Sequence, residues 1–245
     1  MNQRILLFDI ETAPNLAWVW GKFEQNVIEY DSEWYMLSWS AKWLDGTQTT
    51  RCLNSYRGYF RGSDNDYELV KDLWELFDKA DIIIGHNLDR FDIKKSNTRF
   101  IELGLPPPKP YKTIDTLKIA RRYFGFNSNK LDDLGRRLGV GRKVKHSGFD
   151  LWMGCMQGKG SSWDLMRKYN EQDTLLLERV YKKLLPWITN HPATTDDRAQ
   201  CVCGGLKIKR GPFLTKTGKW RQRYSCKSCH KPSVEELIKN VAPEN

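Results

Sequence analysis

QRILLFDIET, residues 3–12, opens on Ile5, Leu6, Leu7 and Phe8 without a polar break. A continuous apolar run of this kind fits a strand covered on both faces. It ends in Asp9-Ile10-Glu11. Acids at i and i+2 on a strand point to the same side. Two carboxylates at a buried edge repel each other and lose hydration, and a divalent cation offsets that cost best. Two further Asp-x-Glu pairs, Asp31–Glu33 and Asp66–Glu68, fall in polar, turn-like stretches and read as solvated surface.

Outward from this strand, residues 16–20, 36–44 and 49–54 read as Trp-rich strands of an antiparallel meander. Trp18, Trp20, Trp34, Trp39 and Trp43 are expected mostly on its packed faces. Residues 66–79 have helical spacing, with Leu69, Leu73, Leu76 and Phe77 on one face. Asp81–Gly85 (DIIIG) is a short buried strand of the parallel type, and a helix follows over about 89–103. Ile114 marks another short strand, and Asp115 is placed to cap a helix over 116–124. A further helix covers about 130–138, and 139–162 read as a Gly- and Lys-rich loop region. Ser161 or Ser162 then caps a helix over 163–189, with Met166, Tyr169, Asp173, Leu176, Val180 and Leu184 on its apolar stripe. The fold class predicted is α/β, a mixed sheet flanked by helices.

Asp173 is the acid on that stripe, one turn from Tyr169. Buried acids without partners are rare. After the DIIIG strand comes GHNLDRFD, with Asp89 and Asp92 as candidate ligands at the carboxyl end of a strand. Asp89 is also placed to cap the next helix. His86 beside them reads as a structural hydrogen-bonding residue.

FDIET, NLDRFD and YNEQD, in this order, resemble the three motifs of the DEDD, or DnaQ-like, 3′–5′ exonucleases of the ribonuclease H-like superfamily. The alignment of the second motif favours Asp92 over Asp89. Lys168 stands where the histidine subclass would carry its histidine, so the resemblance is to the tyrosine subclass, similar to family B polymerase proofreading domains and to ribonuclease D. The chain also resembles an exonuclease-like family of tailed bacteriophages. The resemblance implies that Asp9, Glu11, Asp92 and Asp173 bind two Mg²⁺ or Mn²⁺ ions and that Tyr169 orients the attacking water. It implies DNA 3′ ends or single-stranded DNA as substrate, with RNA trimming as the alternative. A non-catalytic nucleic-acid-binding adaptor on a relic fold is the reading from another class. A replication or recombination machine is a candidate partner. Residues 139–148 (GVGRKVKHSG) are open to two readings: an ordinary solvated loop, or one that brings Lys143, Lys145 and His146 to the substrate backbone.

The 245 residues carry a net charge of +10. Residues 201–232 contain nine Lys or Arg and neither Asp nor Glu, so the rest of the chain is close to neutral. A compact basic segment of this kind points to a polyanion partner. It also contains Cys201-x-Cys203 and Cys226-x-x-Cys229, separated by 22 residues. Four thiolates held by two turns suit one structural Zn²⁺, which would supply the folding free energy of so short a segment. RYSCKSCHK resembles the second half of transposase zinc ribbons, although the first knuckle has a one-residue spacer. Lys207, Lys209, Arg210, Arg221 and Arg223 are the expected nucleic-acid contacts of this module, while Cys52 and Cys155 read as buried thiols. The division expected is an exonuclease domain over 1–190, a linker over 191–200, a zinc ribbon over 201–232 and a polar tail over 233–245. No stretch has the length and apolarity of a membrane span, and the location expected is cytoplasmic.

Overall fold

The computed structural model describes residues 4–23, 26–188, 191–192, 201–205 and 207–236. In chain order the strands are β1 (Ile5–Thr12), β2 (Leu16–Trp18), β3 (Glu29–Ser32), β4 (Met36–Trp43), β5 (Gln48–Cys52), β6 (Ile82–Gly85) and β7 (Lys112–Asp115). The helices are α1 (Tyr67–Lys79), α2 (Asp92–Glu102), α3 (Thr116–Tyr123), α4 (Leu131–Arg137), α5 (Phe149–Met156) and α6 (Gly160–Leu184). Three further strands follow: β8 (Lys207–Leu214), β9 (Trp220–Cys226) and β10 (Pro232–Glu236).

The main sheet has the order β5-β4-β1-β6-β7. β1 pairs antiparallel with β4 and parallel with β6, and β6 pairs parallel with β7. The sheet is therefore mixed, as expected, with β1 at its centre. Alternate residues of β1 feed two cores: Leu6, Phe8 and Ile10 join Trp39 and Phe77 on one face, and Ile5 and Leu7 join Ile82, Leu176 and Tyr181 on the other. The apolar stripe of α6 spans both cores, Met166 and Tyr169 in the first and Leu176, Val180 and Leu184 in the second, with Asp173 between them.

Several expectations are corrected. Residues 16–18 leave the main sheet and pair with β3 in a separate two-stranded ribbon, where Trp18 and Trp20 are exposed. Of the five tryptophans expected on packed faces, Trp39 is the one fully buried. Asp66 is also fully buried: it accepts from the Met36 N–H at 2.7 Å and from Arg99 Nε at 3.0 Å, so a guanidinium from α2 replaces the water assumed for it. The 139–162 region contains α5, and α6 begins at Gly160 with Lys159 as its N-cap residue, so Ser161 and Ser162 lie in its first turn. Phe91, not Asp89, occupies the N-cap position of α2.

β8, β9 and β10 form an antiparallel sheet in the order β10-β9-β8. The strand β10 thus extends into what reads as a polar tail, because its residues complete the edge pairing of β9 from Pro232↔Ser225 to Glu236↔Arg221. The expected linker from 193 to 200 and the tail beyond 236 lie outside the described residues. His191 is buried, its Nε2 lying 2.7 Å from Tyr181 Oη on α6. Among the described residues no helix is long and apolar enough to cross a membrane.

Candidate active site and cysteine centre

β1 delivers Asp9 and Glu11, and α6 delivers Asp173, so that carboxylate oxygens of the three lie within 4.8 Å of one another. Asp92 opens α2, where its Oδ1 accepts from the Ile10 N–H at 3.4 Å. It therefore flanks the three from the β1 side. Asp89 stands apart, paired with Lys118 at 2.7 Å.

This concentration of charge has the expected electrostatic signature. Burial pushes the Asp9 carboxyl up to about 7, assisted by the negative charge of Asp173 and opposed by Lys143 and Asn170. Burial together with Asp9 and Asp173 raises Glu11 well above the carboxylate range. Burial and Asp9 do the same to Asp92. Asp173 is raised by burial against the pull of Lys143. Groups this close hold protons in place of a missing positive charge.

Part of that charge comes from Lys143. Its ammonium lies 2.5 Å from Asp173 Oδ2 and 3.1 Å from Tyr169 Oη. Burial alone would lower its pKa, but Asp173, Asp9 and Tyr169 outweigh burial and raise it. The Tyr169 hydroxyl is pushed up by burial and by Asp173 and Glu11, so it stays protonated and able to donate. Asp173 Oδ1 is buried without a hydrogen-bond partner. An orphaned carboxylate oxygen beside two others is a donor set suited to a hard divalent cation.

Two residues that bond the site acids, Asn170 and Trp152, are not evident from sequence motifs. Asn170 Nδ2 donates to Asp9 Oδ2 at 2.8 Å, and Asn170 Oδ1 accepts from Ser38 Oγ at 3.1 Å. Trp152 Nε1 donates to Glu11 Oε2 at 3.2 Å. Asn170 follows Tyr169 directly on α6, and Trp152 lies on α5, within the stretch whose glycines and lysines suggest a loop. His146 is exposed, its ring centroid 4.8 Å from that of Tyr169 and 5.2 Å from that of Trp152, while Lys145 faces solvent. His86 has the structural role expected: Nδ1 lies 2.9 Å from Thr116 Oγ1, and burial drives its pKa down to about 4.

The second centre gathers Cys201, Cys203, Cys226 and Cys229, whose sulfur atoms all lie within 4.8 Å of one another. Cys201 Sγ is 3.6 Å from Cys229 Sγ, and Cys203 Sγ is 3.4 Å from Cys226 Sγ. The edge of a tetrahedral zinc–thiolate site, from Zn–S bonds near 2.3 Å, is roughly 3.8 Å. Burial works against the Cys226 thiolate, but the backbone N–H groups of Cys229 and Ser228 outweigh it and bring the thiol down to about 7. The one-residue spacer between Cys201 and Cys203 is compatible with this gathering.

Around these cysteines the basic residues differ in availability. Lys207 is a correction: its ammonium is buried and paired with Glu235 at 3.2 Å, an acid just beyond the segment that reads as free of acids. Arg210 Nε donates to Ser225 Oγ at 2.7 Å, and the Arg223 guanidinium lies over Phe213 at 4.4 Å. Arg221 lies on β9, and the Lys209 side chain is outside the described ones.

The chain is similar to several known proteins. Residues 41–185 match a family model described as RNase_H superfamily, a segment that contains Asp92, Tyr169 and Asp173 and begins after β1. Protein NEN3 of Arabidopsis thaliana is 37% identical over 71 residues, which is 28% of this chain and 14% of that protein. Protein NEN1 of Arabidopsis thaliana is 35% identical over 71 residues, or 28% of this chain and 15% of that protein. The chain thus spans about one seventh of the length of the curated relatives it matches. The structure of the family B DNA polymerase from the archaeon Pyrobaculum calidifontis aligns with a TM-score of 0.55 at 17% identity, covering 76% of this chain and 25% of that one. That likeness is one of fold. The matched segment covers more than half of the chain, with Asp92, Tyr169 and Asp173 inside it, and the chain belongs to the RNase_H superfamily.

Proposed function

We propose that the chain is a metal-dependent 3′–5′ exonuclease that hydrolyses nucleic acid, DNA in preference to RNA. The observation that carries this reading is the convergence of Asp9, Glu11 and Asp173, flanked by Asp92, around an orphaned carboxylate oxygen beneath a protonated tyrosine. Membership of the RNase_H superfamily supports a nuclease. The proofreading-like second motif favours DNA, and a DNA polymerase among the fold relatives is in keeping with that.

Asp9, Glu11, Asp92 and Asp173 would hold two Mg²⁺ or Mn²⁺ ions. When bound, such ions lower the pKa of a coordinated water and neutralise charge on the departing 3′ oxygen. Tyr169, kept neutral, hydrogen-bonds the attacking water and aims it at phosphorus. Asn170 fixes the orientation of Asp9, and Trp152 that of Glu11. Lys143 balances the acids in the resting site and exchanges Asp173 for a phosphate oxygen when substrate enters. Cys201, Cys203, Cys226 and Cys229 would hold one Zn²⁺, giving a zinc ribbon whose exposed Arg210 and Arg223 grip the nucleic acid away from the acids.

The experiment is degradation of matched 5′-labelled single-stranded DNA and RNA with Mg²⁺ or Mn²⁺, by wild type, Asp9→Ala and Asp173→Ala. A ladder shrinking from the 3′ end, absent with chelator and in both variants, is expected, with DNA the faster substrate. Tight binding with no cleavage of either strand would instead make the chain an adaptor.

A further inference from the structure

Two cavities share His146 as a wall, and each is lined by a residue that bonds a site acid: Trp152, which donates to Glu11, in one, and Lys143, which donates to Asp173, in the other. One, of about 570 Å³, is lined by Trp34, Phe91, Phe149 and Trp152 among others. The other, of about 1020 Å³, carries Arg90, Arg121 and Lys130 on its walls, together with Lys143 and Tyr169. Arg90 and Phe91 are consecutive, yet each lines a different cavity. The loop before α2 therefore divides an aromatic cleft from a basic one.

The basic cleft has charge to spare. Asp132 is its lining acid, and it is already engaged by Arg142 at 3.2 Å and by the Lys143 N–H at 2.8 Å. Asp89, next to Arg90, is taken by Lys118 at 2.7 Å. Arg90, Arg121 and Lys130 are exposed, and no carboxylate of the described residues lies within ion-pair distance of any of them. Cations left unpaired beside a cluster of carboxylates cost electrostatic self-energy only where they are close together, and they attract a polyanion from outside.

The walls are also held in place. The Asp115 carboxylate caps α3 through the Leu117 N–H at 3.0 Å and accepts from the Asn87 N–H at 3.0 Å. One side chain thus fastens the turn leading to Arg90 to the start of the helix that ends near Arg121. The His86–Thr116 contact at 2.9 Å repeats the link. Anchoring the turn before Arg90 to α3 keeps Arg90 and Arg121 on one groove, and several cations along a groove suit a row of phosphates better than a single anion.

We infer that the groove walled by Arg90, Arg121 and Lys130 is the track for the backbone phosphates of a single-stranded polynucleotide, leading to the scissile bond at the acids. The inference rests on the nuclease reading of those acids and adds the path by which the strand reaches them. Lys143, which lines the groove and contacts Asp173, takes the last phosphate before the carboxylates.

The test uses two substrates and the triple variant Arg90→Gln/Arg121→Gln/Lys130→Gln, all at exposed positions. The p-nitrophenyl ester of thymidine 5′-monophosphate has one phosphate and reports on the acids alone. A short single-stranded oligonucleotide reports on the track. The variant is expected to hydrolyse the ester like wild type and to lose about tenfold or more in kcat/KM on the oligonucleotide. In chelator, the slope of log binding constant against log salt should become shallower by about 2, at roughly 0.7 per phosphate contact on a single strand. Ester and oligonucleotide turnover both unchanged, with the same salt slope, would overturn the track and leave the nuclease standing. If wild type cleaves neither substrate but the variant alone binds more weakly, the track stands and the nuclease reading falls.

Discussion

Lys143 Nζ sits 2.5 Å from Asp173 Oδ2 and 3.1 Å from Tyr169 Oη, which puts an ammonium group inside a cluster of acids carried by β1, α2 and α6. The carboxylate it faces is 1% exposed, whereas the lysine side chain is 31% exposed. The pair is therefore half buried, and removing the cation strands a buried acid. Lys143→Met is expected to lower stability in chelator by about 2 kcal/mol at neutral pH. Mn²⁺ should recover most of that loss. Thermal melts in chelator and in Mn²⁺ check this, and equal melting temperatures for the two proteins in chelator would remove the counter-ion role.

Asp9 gives a pH dependence of definite sign. Its carboxyl is raised to about 7 in the folded chain, above the ordinary value of 3.8. The folded state therefore holds a proton that the unfolded state has released. Stability from this group is fully present below pH 3.8 and is lost as pH rises through about 7. Metal-free protein should lose melting temperature between pH 5 and 8, and Asp9→Asn should flatten that decline. Mg²⁺ or Mn²⁺ should flatten it as well, because a bound cation replaces the proton. A decline of equal steepness in wild type and Asp9→Asn would assign it to other groups.

How far the sequence could be read depends on how local each cause is. Ile5–Phe8 and Asp81–Gly85 declare their strands because burial on both faces needs apolar residues at every position. Asp115 is recognisable as a cap because its partner, the Leu117 N–H, is two residues away. Asp66 was not recognisable, since its burial depends on Arg99, 33 residues further on. The same holds for Asn170 and Trp152, which meet Asp9 and Glu11 across 161 and 141 residues. α5 carries a weaker local signal, with Leu151, Trp152 and Cys155 at helical spacing among glycines and lysines that favour a loop.

Asn170 separates positioning from ligation. Its amide donates to Asp9 at 2.8 Å and accepts from the buried Ser38 hydroxyl at 3.1 Å. Asn170→Asp would add a like charge beside Asp9, whereas Asn170→Ala leaves the Asp9 oxygen without its donor. Both are expected to lower kcat, the first by about 10³-fold and the second by about 10²-fold. KM should change little. In Asn170→Ala the activity should fall more steeply on the acid side, because Asp9 loses a bond that favours its charged form. A pH–rate profile with an unshifted acid limb would reduce Asn170 to a packing role.

His86 supplies the opposite sign to Asp9. Burial lowers its pKa to about 4 from an ordinary 6.5, so the folded state keeps it neutral where the unfolded state would already be protonated. The stability that depends on neutral His86 is therefore fully present above pH 6.5 and is lost as pH falls towards 4. Two and a half pH units correspond to about 3 kcal/mol at most. Replacing the ring by His86→Gln, which can still donate to Thr116, should cost stability at pH 7 but leave less to lose on acidification. Denaturant midpoints at pH 7 and pH 5 provide the measure. The difference between wild type and variant should shrink at pH 5. A difference that is constant across this interval would mean that His86 titrates in the folded chain as it does in water, and that the His86–Thr116 link does not depend on a neutral ring.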